Sequence, residues 1–254
     1  MAVLREEYLA FQRVKNIPNA FFIRNRTDRE MLEHPLNKKG KIYLQGIASM
    51  LPPLMLDPKP GEIVLDLCAA PGSKTSQMAA MMQNRGRLVA CEDDAIRFQK
   101  LQNTLCIQGA IFVEALNEDA TILHHKMPEI FDKVLADVPC SAEGRIDLAE
   151  PRTYRYWSKG NITSNAKLQR RLLRSAVFCL KPGGTLVYST CTFAPEENEA
   201  QVAWLLTEFP EMKVEKATLP VLDVKHWPTG TTVFPTKDHE GFFIAKLKKN
   251  TASL

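Results

Sequence analysis

Ile63-Val-Leu-Asp-Leu-Cys-Ala-Ala-Pro-Gly-Ser-Lys-Thr75 is the stretch from which the fold can be read. Its first five residues, apolar save for Asp66, read as a buried strand. A turn of small residues then hands the chain to a helix predicted over 73–82. Outward from there the same alternation repeats. Strands are expected over 88–92, 110–114, 133–138, 185–189 and 241–248, and helices over 95–108, 166–180 and 196–209. This predicts an α/β chain with a doubly wound, mostly parallel sheet covered on both faces. In such sheets ligands bind beyond the carboxyl ends of the strands. Upstream, 43–51 reads as a helix ended by Pro52-Pro53. Residues 1–15 read as a helix, with Leu4, Tyr8 and Phe11 at helical spacing and Pro18 ending it, and 19–23 as a short strand. The charged run 24–42, with Lys38-Lys39-Gly40-Lys41, reads as a linker or extended arm. Two parts are expected: a short N-terminal helix and basic arm over 1–42, too small for an independent core, and one large domain over 43–254.

Composition narrows the class. The chain has 254 residues, 45% hydrophobic and 24% charged, which excludes wholesale disorder and a collagen-like repeat. No apolar run approaches the ~20 residues of a bilayer span, so no membrane partner is expected. The start, Met1-Ala-Val-Leu-Arg-Glu-Glu7, is charged too early for a secretory signal. A net charge of +4 neither demands nor excludes nucleic acid. None of the six cysteines forms a C-x-x-C pair, and the histidines form no H-E-x-x-H, so no metal site is expected. The thiols are read as reduced and the chain as cytoplasmic.

Three ligands compete for the 66–75 turn. A dinucleotide fingerprint needs G-x-G-x-x-G, and only Gly72 is present. A phosphate loop needs G-x-x-x-x-G-K-[ST]; Ser73-Lys74-Thr75 imitates its end, but Cys68 and Ser73 stand where the glycines belong. S-adenosylmethionine fits better. Ala69, Ala70, Pro71 and Gly72 let backbone approach a ligand, and the helix that follows offers unpaired N–H groups. Glu92, at the end of the second strand, is placed to take ribose hydroxyls, and Asp119, after the third, lies where an adenine edge would sit.

Two cysteines stand apart from the others. Cys140, in Asp137-Val-Pro-Cys-Ser141, follows the fourth strand, and Cys191, in Ser189-Thr-Cys-Thr-Phe193, the fifth. Each sits in a polar loop after an apolar strand, so both thiols could face one substrate, whereas Cys179 has the helical neighbours of a core residue. A thiol beside a methyl donor suits one chemistry. Carbon 5 of a pyrimidine is a poor nucleophile until a thiolate adds at carbon 6. A free thiol has a pKa near ~8.5, so the attacking cysteine needs activation. Asp137 could engage the nitrogen edge of the ring, and a second thiol or an acid could remove the carbon 5 proton.

The chain resembles the RNA 5-methylcytosine methyltransferases, a family that includes bacterial rRNA enzymes and eukaryotic nucleolar and tRNA counterparts. The resemblance rests on Tyr43-Leu-Gln-Gly-Ile-Ala-Ser49, the 66–75 turn, Asp137-Val-Pro-Cys-Ser141, Lys181-Pro-Gly-Gly184, Tyr188-Ser-Thr-Cys-Thr-Phe193 and Pro195-Glu-Glu-Asn-Glu199. It implies a Rossmann-like class I S-adenosylmethionine-dependent methyltransferase with a reversed last hairpin, acting on cytosine in rRNA or tRNA. It implies that Cys68, Ala69, Ala70, Pro71, Gly72, Ser73 and Lys74 hold the methionine part of the cofactor, Glu92 the ribose and Asp119 the adenine side. Asp137 would border cofactor and base, Cys191 would be the nucleophile, Cys140 would act in product release and Lys74 would orient the base. The chain departs from the family's pattern at Ser73 for glycine, Glu92 for aspartate, Ala142-Glu143-Gly144 after Pro-Cys-Ser, and Gly46 where an acid is frequent. The large RNA-binding extensions common in the family are not found, which leaves room for a recognition partner or a substrate assembled in a particle; the chain itself is expected to be a monomer.

Between Pro151 and Pro195 there is no Asp or Glu, while Arg152, Arg155, Lys159, Arg170, Arg171 and Arg174 interleave with Tyr154, Tyr156 and Trp157. Basic groups track phosphates and aromatic faces stack on unpaired bases, so this stretch is the expected RNA surface. Two other functions compete: an RNA-binding module that keeps the fold without the chemistry, and a DNA cytosine methyltransferase, in which the Pro-Cys thiol would attack and Cys191 would be idle.

Overall fold

The computed structural model describes residues 1–216, 219–220 and 223–251; the last three residues of the expected large domain, 252–254, lie outside it. The N-terminal helix α1 (Ala2–Glu6) stops well short of the expected residue 15. Tyr8 takes a left-handed φ of 54° and turns its ring to solvent, which breaks the helical stripe. The chain then forms a hairpin, β1 (Phe11–Arg13) against β2 (Phe21–Ile23), with Phe11 opposite Ile23. The run 24–42 is not a linker. It folds into α2 (Asp28–Glu33), opened by a Thr27–Glu30 capping box, and α3 (Pro35–Lys38), with proline in its first turn. Leu4, Leu9, Met31 and Leu36 bury together, while Ile17 and Ala20 join the main core beside Ile47 and Leu51.

Helix α4 (Ile47–Leu56) runs through Pro52 and Pro53 instead of ending there. The two prolines remove two backbone bonds of about 1 kcal/mol each. Burial of Leu51, Met55 and Leu56, at about 1.5–3 kcal/mol apiece, outweighs that loss.

The sheet carries β3 (Ile63–Asp66), β4 (Arg87–Cys91), β5 (Val113–Leu116), β6 (Phe131–Asp137), β7 (Leu180–Thr190), β8 (Met212–Glu215), β9 (Val224–Trp227), β10 (Gly230–Val233) and β11 (Phe242–Lys249). Helices α5 (Ser73–Met81), α6 (Ala95–Ile107), α7 (Lys159–Cys179) and α8 (Glu199–Glu208) cover it. The order β5-β4-β3-β6-β7 is parallel, and β11 runs antiparallel beside β7, which is the doubly wound sheet with a reversed last strand that the alternation and the resemblance implied. Three strands went unread in the sequence. β10 pairs with the first half of β11 and carries β9 on its other side at the sheet edge, while β8 pairs with the second half; each of the three is a short, partly polar segment without a clean period. Helix α7 starts at Lys159, capped by Ser158, not at 166; its first turns are polar and carry no apolar stripe to betray them. Two apolar layers, one on each face of the sheet, fill the space beneath the helices. Strand order reverses between β3 and β6, and there the carboxyl ends of β3, β4, β6 and β7 surround one crevice. Among the described residues no helix is long and apolar enough to cross a membrane, and no group of three or more His, Cys, Asp or Glu could hold a metal ion.

Candidate active site

The crevice is a cavity of about 460 Å³ whose wall includes the β3–α5 turn, Ser49 of α4, Asp137, both Pro-Cys and Thr-Cys thiols, Arg145 and Glu240. Gly72 has a φ of 105°, and a Cβ there would press on Leu101 and Thr104 of α6 at 3.1 Å. Glycine is therefore needed for the turn to close onto α5. Asp66 is buried. Its Oδ2 accepts from Thr75 Oγ1 at 2.7 Å, and its Oδ1 has no partner among the described residues. Burial pushes its carboxyl up to about 7, with the nearby Asp137 adding to the rise. Lys74 reaches over from α5 to pair with Asp137 Oδ2 at 2.7 Å and donates to Ser49 Oγ at 2.9 Å. Ser189 Oγ donates to Asp137 Oδ1 at 2.7 Å, so both carboxylate oxygens are fixed. Lys74 and Asp137, expected in one site from separate motifs, are thus in direct contact.

A side pocket opens beyond Cys68, lined by Glu92, Asp119, Leu168 and Leu172. Glu92 is 3% exposed, accepts from Asp94 N–H at 3.1 Å and pairs with Arg97 at 3.3 Å. Burial raises its carboxyl. Asp119 Oδ1 accepts from Thr121 N–H at 2.8 Å, while Arg171 sits 3.7 Å from Oδ2 and donates to Thr121 Oγ1. Burial, with Asp66 and Asp137 close by, pushes the Cys68 thiol well up, which keeps it a neutral wall between the two spaces.

At the other end of the cavity Cys140 Sγ and Cys191 Sγ lie 3.4 Å apart. The hydrogen bond between them and the charge of Arg145 hold Cys191 below the ordinary thiol value, against burial. The same hydrogen bond, together with burial, pushes Cys140 up. Of the two thiols Cys191 is therefore the one that ionises more readily, with the Cys140 S–H donating to it. Arg145 is held in turn by Glu240, Nε to Oε2 at 2.6 Å. After Ser141, the departure from the family's turn is absorbed by Ala142, which takes a left-handed φ of 57°. Gly144 N–H then donates to Cys191 O at 2.9 Å, and a Cβ at Gly144 would run into the Gly241 carbonyl.

The basic residues of 152–174 do not form one open row. Arg174 pairs with Glu208, Arg152 with Glu150 and Arg171 with Asp119, and Arg170 lies over Trp204. The acids missing from this stretch are supplied by other elements. Arg155 lies over Tyr156 at 4.4 Å, and among the described residues no carboxylate pairs with it or with Lys159. Several wall residues were not singled out from sequence: Arg97, Arg145 and Glu240, and, behind the thiols, Gln169, Glu197 and Asn198. Glu197 and Asn198 lie inside a quoted motif, but nothing in a run of polar residues distinguishes a buried clamp from a helix start.

A parallel sheet with its last strand reversed, a glycine turn after its first strand and two thiols facing that turn define a class I methyltransferase. The sequence profile of the 16S rRNA methyltransferase RsmB/F family matches residues 53–248, and the chain belongs to that family. It is 41% identical over 249 residues to the ribosomal RNA small subunit methyltransferase F of Cronobacter sakazakii, covering 93% of this chain and 51% of that protein. It is 38% identical over 233 residues to the tRNA (cytosine(49)-C(5))-methyltransferase of Pyrococcus abyssi, covering 87% of this chain and 73% of that one. The structure of NSun6 from Pyrococcus horikoshii with SFG superposes with a TM-score of 0.77 at 32% identity, covering 86% of this chain and 56% of that one. The chain thus spans about half the length of the first of these relatives.

Proposed function

We propose that this chain transfers a methyl group from S-adenosylmethionine to carbon 5 of a cytosine in rRNA or tRNA, through a covalent bond between Cys191 and carbon 6. The observation that carries this reading is the 3.4 Å thiol pair, which lies in the same cavity as the Asp66 turn and the Lys74–Asp137 ion pair. The cofactor suits the residues present. Asp66 lines the cavity and its buried Oδ1 is an acceptor without a partner among the described residues, which suits the ammonium of a methionine moiety, and Glu92 and Asp119 edge the side pocket suited to the nucleoside. The relative solved with SFG, the clamping of Gly72 against α6 and the family match support the same placement. When bound, S-adenosylmethionine supplies an electrophilic methyl group.

The protein's own residues do the rest. Cys191, poised toward thiolate, adds to carbon 6 and makes carbon 5 nucleophilic. Asp137, fixed by Lys74 and Ser189, accepts from the amino group on the nitrogen edge of the ring, and the Lys74 ammonium beside it offsets the negative charge that the addition places on that edge. While Cys191 is an anion, Cys140 stays protonated. Once Cys191 is a thioether its charge is gone, and Cys140 can release its own proton to solvent and then accept the carbon 5 proton; the C–H electron pair forms the C5–C6 double bond and the C–S pair returns to Cys191 as thiolate. Phosphates on either side of the target would meet Arg155 and Lys159. Target choice falls to a recognition partner or to the structured RNA itself, with the chain acting as a cytoplasmic monomer. The test is a pair of variants. Cys191→Ala should abolish methylation and leave no adduct, and Cys140→Ala should lose turnover yet accumulate protein–RNA adduct that survives denaturing electrophoresis. The reverse pattern would give Cys140 the nucleophile's part, as in the DNA enzymes. Unchanged activity in both would end the mechanism.

A further inference from the structure

Behind the two thiols, walled off from the cavity, lies a fully buried polar cluster at the start of α8. Glu197 is 0% exposed and Asn198 is 1% exposed. Both oxygens of Glu197 accept from Ser141 N–H, at 3.2 and 3.1 Å. Gln169 Nε2 bridges Glu197 Oε2 at 2.7 Å and Pro139 O at 2.9 Å. The Glu197 carboxylate therefore grips the Cys140 loop from both sides of the cysteine. Asn198 does the same for the other loop: it accepts from Thr190 Oγ1 at 2.6 Å and donates through Nδ2 to Thr192 O at 2.9 Å, one residue before and one after Cys191. The Asn198 side chain makes no bond to the helix end it precedes, although asparagine is well suited to cap a helix. The loops are also tied to each other, by Ser141 Oγ to Thr192 Oγ1 at 2.7 Å and by Gly144 N–H donating to Cys191 O at 2.9 Å.

We infer that the adjacent residues Glu197 and Asn198 are positioning residues that divide the reaction between them, Glu197 holding the releasing thiol and Asn198 the attacking one. Consecutive Cα atoms are held about 3.8 Å apart, and both side chains are buried and bonded at their tips, so anchoring one loop to each restrains the separation of the sulfurs. The partners are buried where water cannot replace a lost bond, and a displacement of about 1 Å at the reacting atom is enough to cost on the order of 100-fold in rate. The inference rests on the roles proposed above for Cys191 and Cys140.

Glu197→Gln keeps the shape but sets an amide donor against Ser141 N–H or Gln169 Nε2. Asn198→Asp keeps the acceptor for Thr190 and loses the donor to Thr192 O. Each variant is incubated as the full chain with labelled S-adenosylmethionine and unmodified transcripts of small-subunit rRNA and tRNA. Methyl transfer and denaturation-resistant adduct are followed together, with Cys140→Ala and Cys191→Ala alongside. Glu197→Gln should slow release by about tenfold or more and accumulate adduct, while Asn198→Asp should slow adduct formation by a similar factor and accumulate none. Variants that fail to fold are replaced by Gln169→Met, which removes both bonds of its bridge, and Thr190→Val, which removes one bond to Asn198. If wild type methylates neither transcript, the separate rates at which iodoacetamide alkylates Cys191 and Cys140, measured by mass spectrometry, replace the adduct readout; Asn198→Asp should change the Cys191 rate and Glu197→Gln the Cys140 rate. Opposite adduct behaviour in the two variants supports the division. One shared phenotype, or none, overturns it while the cysteine controls behave as expected. If the cysteine controls reverse, the thiol assignment has failed, and a matching reversal in the neighbours would still support positioning.

Discussion

Asp66 lines the cavity and keeps one carboxylate oxygen without a partner among the described residues, and burial holds its proton on up to about 7. An ammonium group is bound well by the carboxylate and poorly by the acid. Affinity for S-adenosylmethionine should therefore rise as pH climbs through about 7, and Asp66→Asn should flatten that rise, as calorimetry across this range can check. Stability carries the opposite sign. The folded value lies above the unfolded 3.8, so the native state keeps a proton that the unfolded chain releases. The Asp66 contribution to stability should fall as pH rises from 3.8 toward about 7 and level off above, and the fall should be smaller in Asp66→Asn melts, where other raised carboxyls such as Glu92 still contribute. Glu92 tests the other end of the pocket. Glu92→Ala should weaken cofactor binding by about 1–3 kcal/mol if a hydrogen bond from the ribose to a carboxylate is lost; an unchanged calorimetric Kd would remove Glu92 from the site.

Helix α7 shows how an element's surface differs from its sequence. Eight basic residues and no acid between Pro151 and Pro195 suggest a continuous phosphate track. Folding brings Glu208 of α8 and Asp119 of the β5 loop against two of those arginines, and Trp204 against a third. Paired guanidinium groups have already exchanged water for protein and gain less from RNA. Arg155→Ala with Lys159→Ala should flatten the log–log salt dependence of RNA binding by roughly 1.4 units, about 0.7 per phosphate on a single strand. Arg170→Ala with Arg171→Ala should flatten it less. An equal or larger effect from the second pair would place the RNA along the body of α7. Arg171 has a different part to play, because it steadies Asp119 and Thr121 beside the side pocket.

The N-terminal arm is joined to the rest of the molecule through its apolar residues. Ile17 is 5% exposed and packs in the same core cluster as Ile47, Leu51 and Phe242, next to the residues that frame the cavity. Ile17→Ala should cost about 2–4 kcal/mol and shift the urea midpoint without changing the slope, in one transition. Two separate transitions would show the arm to be an independent unit, against the reading that 1–42 is too small for a core of its own.

How much was legible follows from the range of each signal. The β3 turn, the parallel order of strands and the gathering of Cys191, Cys140, Asp137 and Lys74 around one cavity were readable because period, turn chemistry and motif are local, and because strand order in a doubly wound sheet gathers the loops that follow the strands. The misreadings lie where nonlocal packing outweighs local preference. Pro52 and Pro53 stay helical because their helix is buried, Phe11 leaves its helix to pair with Ile23, and β8 and β10 exist only because β11 offers an edge. The 3.4 Å between the sulfurs, the Lys74–Asp137 pair and the Glu197–Asn198 clamp were decided by tertiary structure alone. Residues far apart in the chain are brought into contact there, and the direction in which the Cys191 and Cys140 thiols shift depends on neighbours that no local pattern encodes.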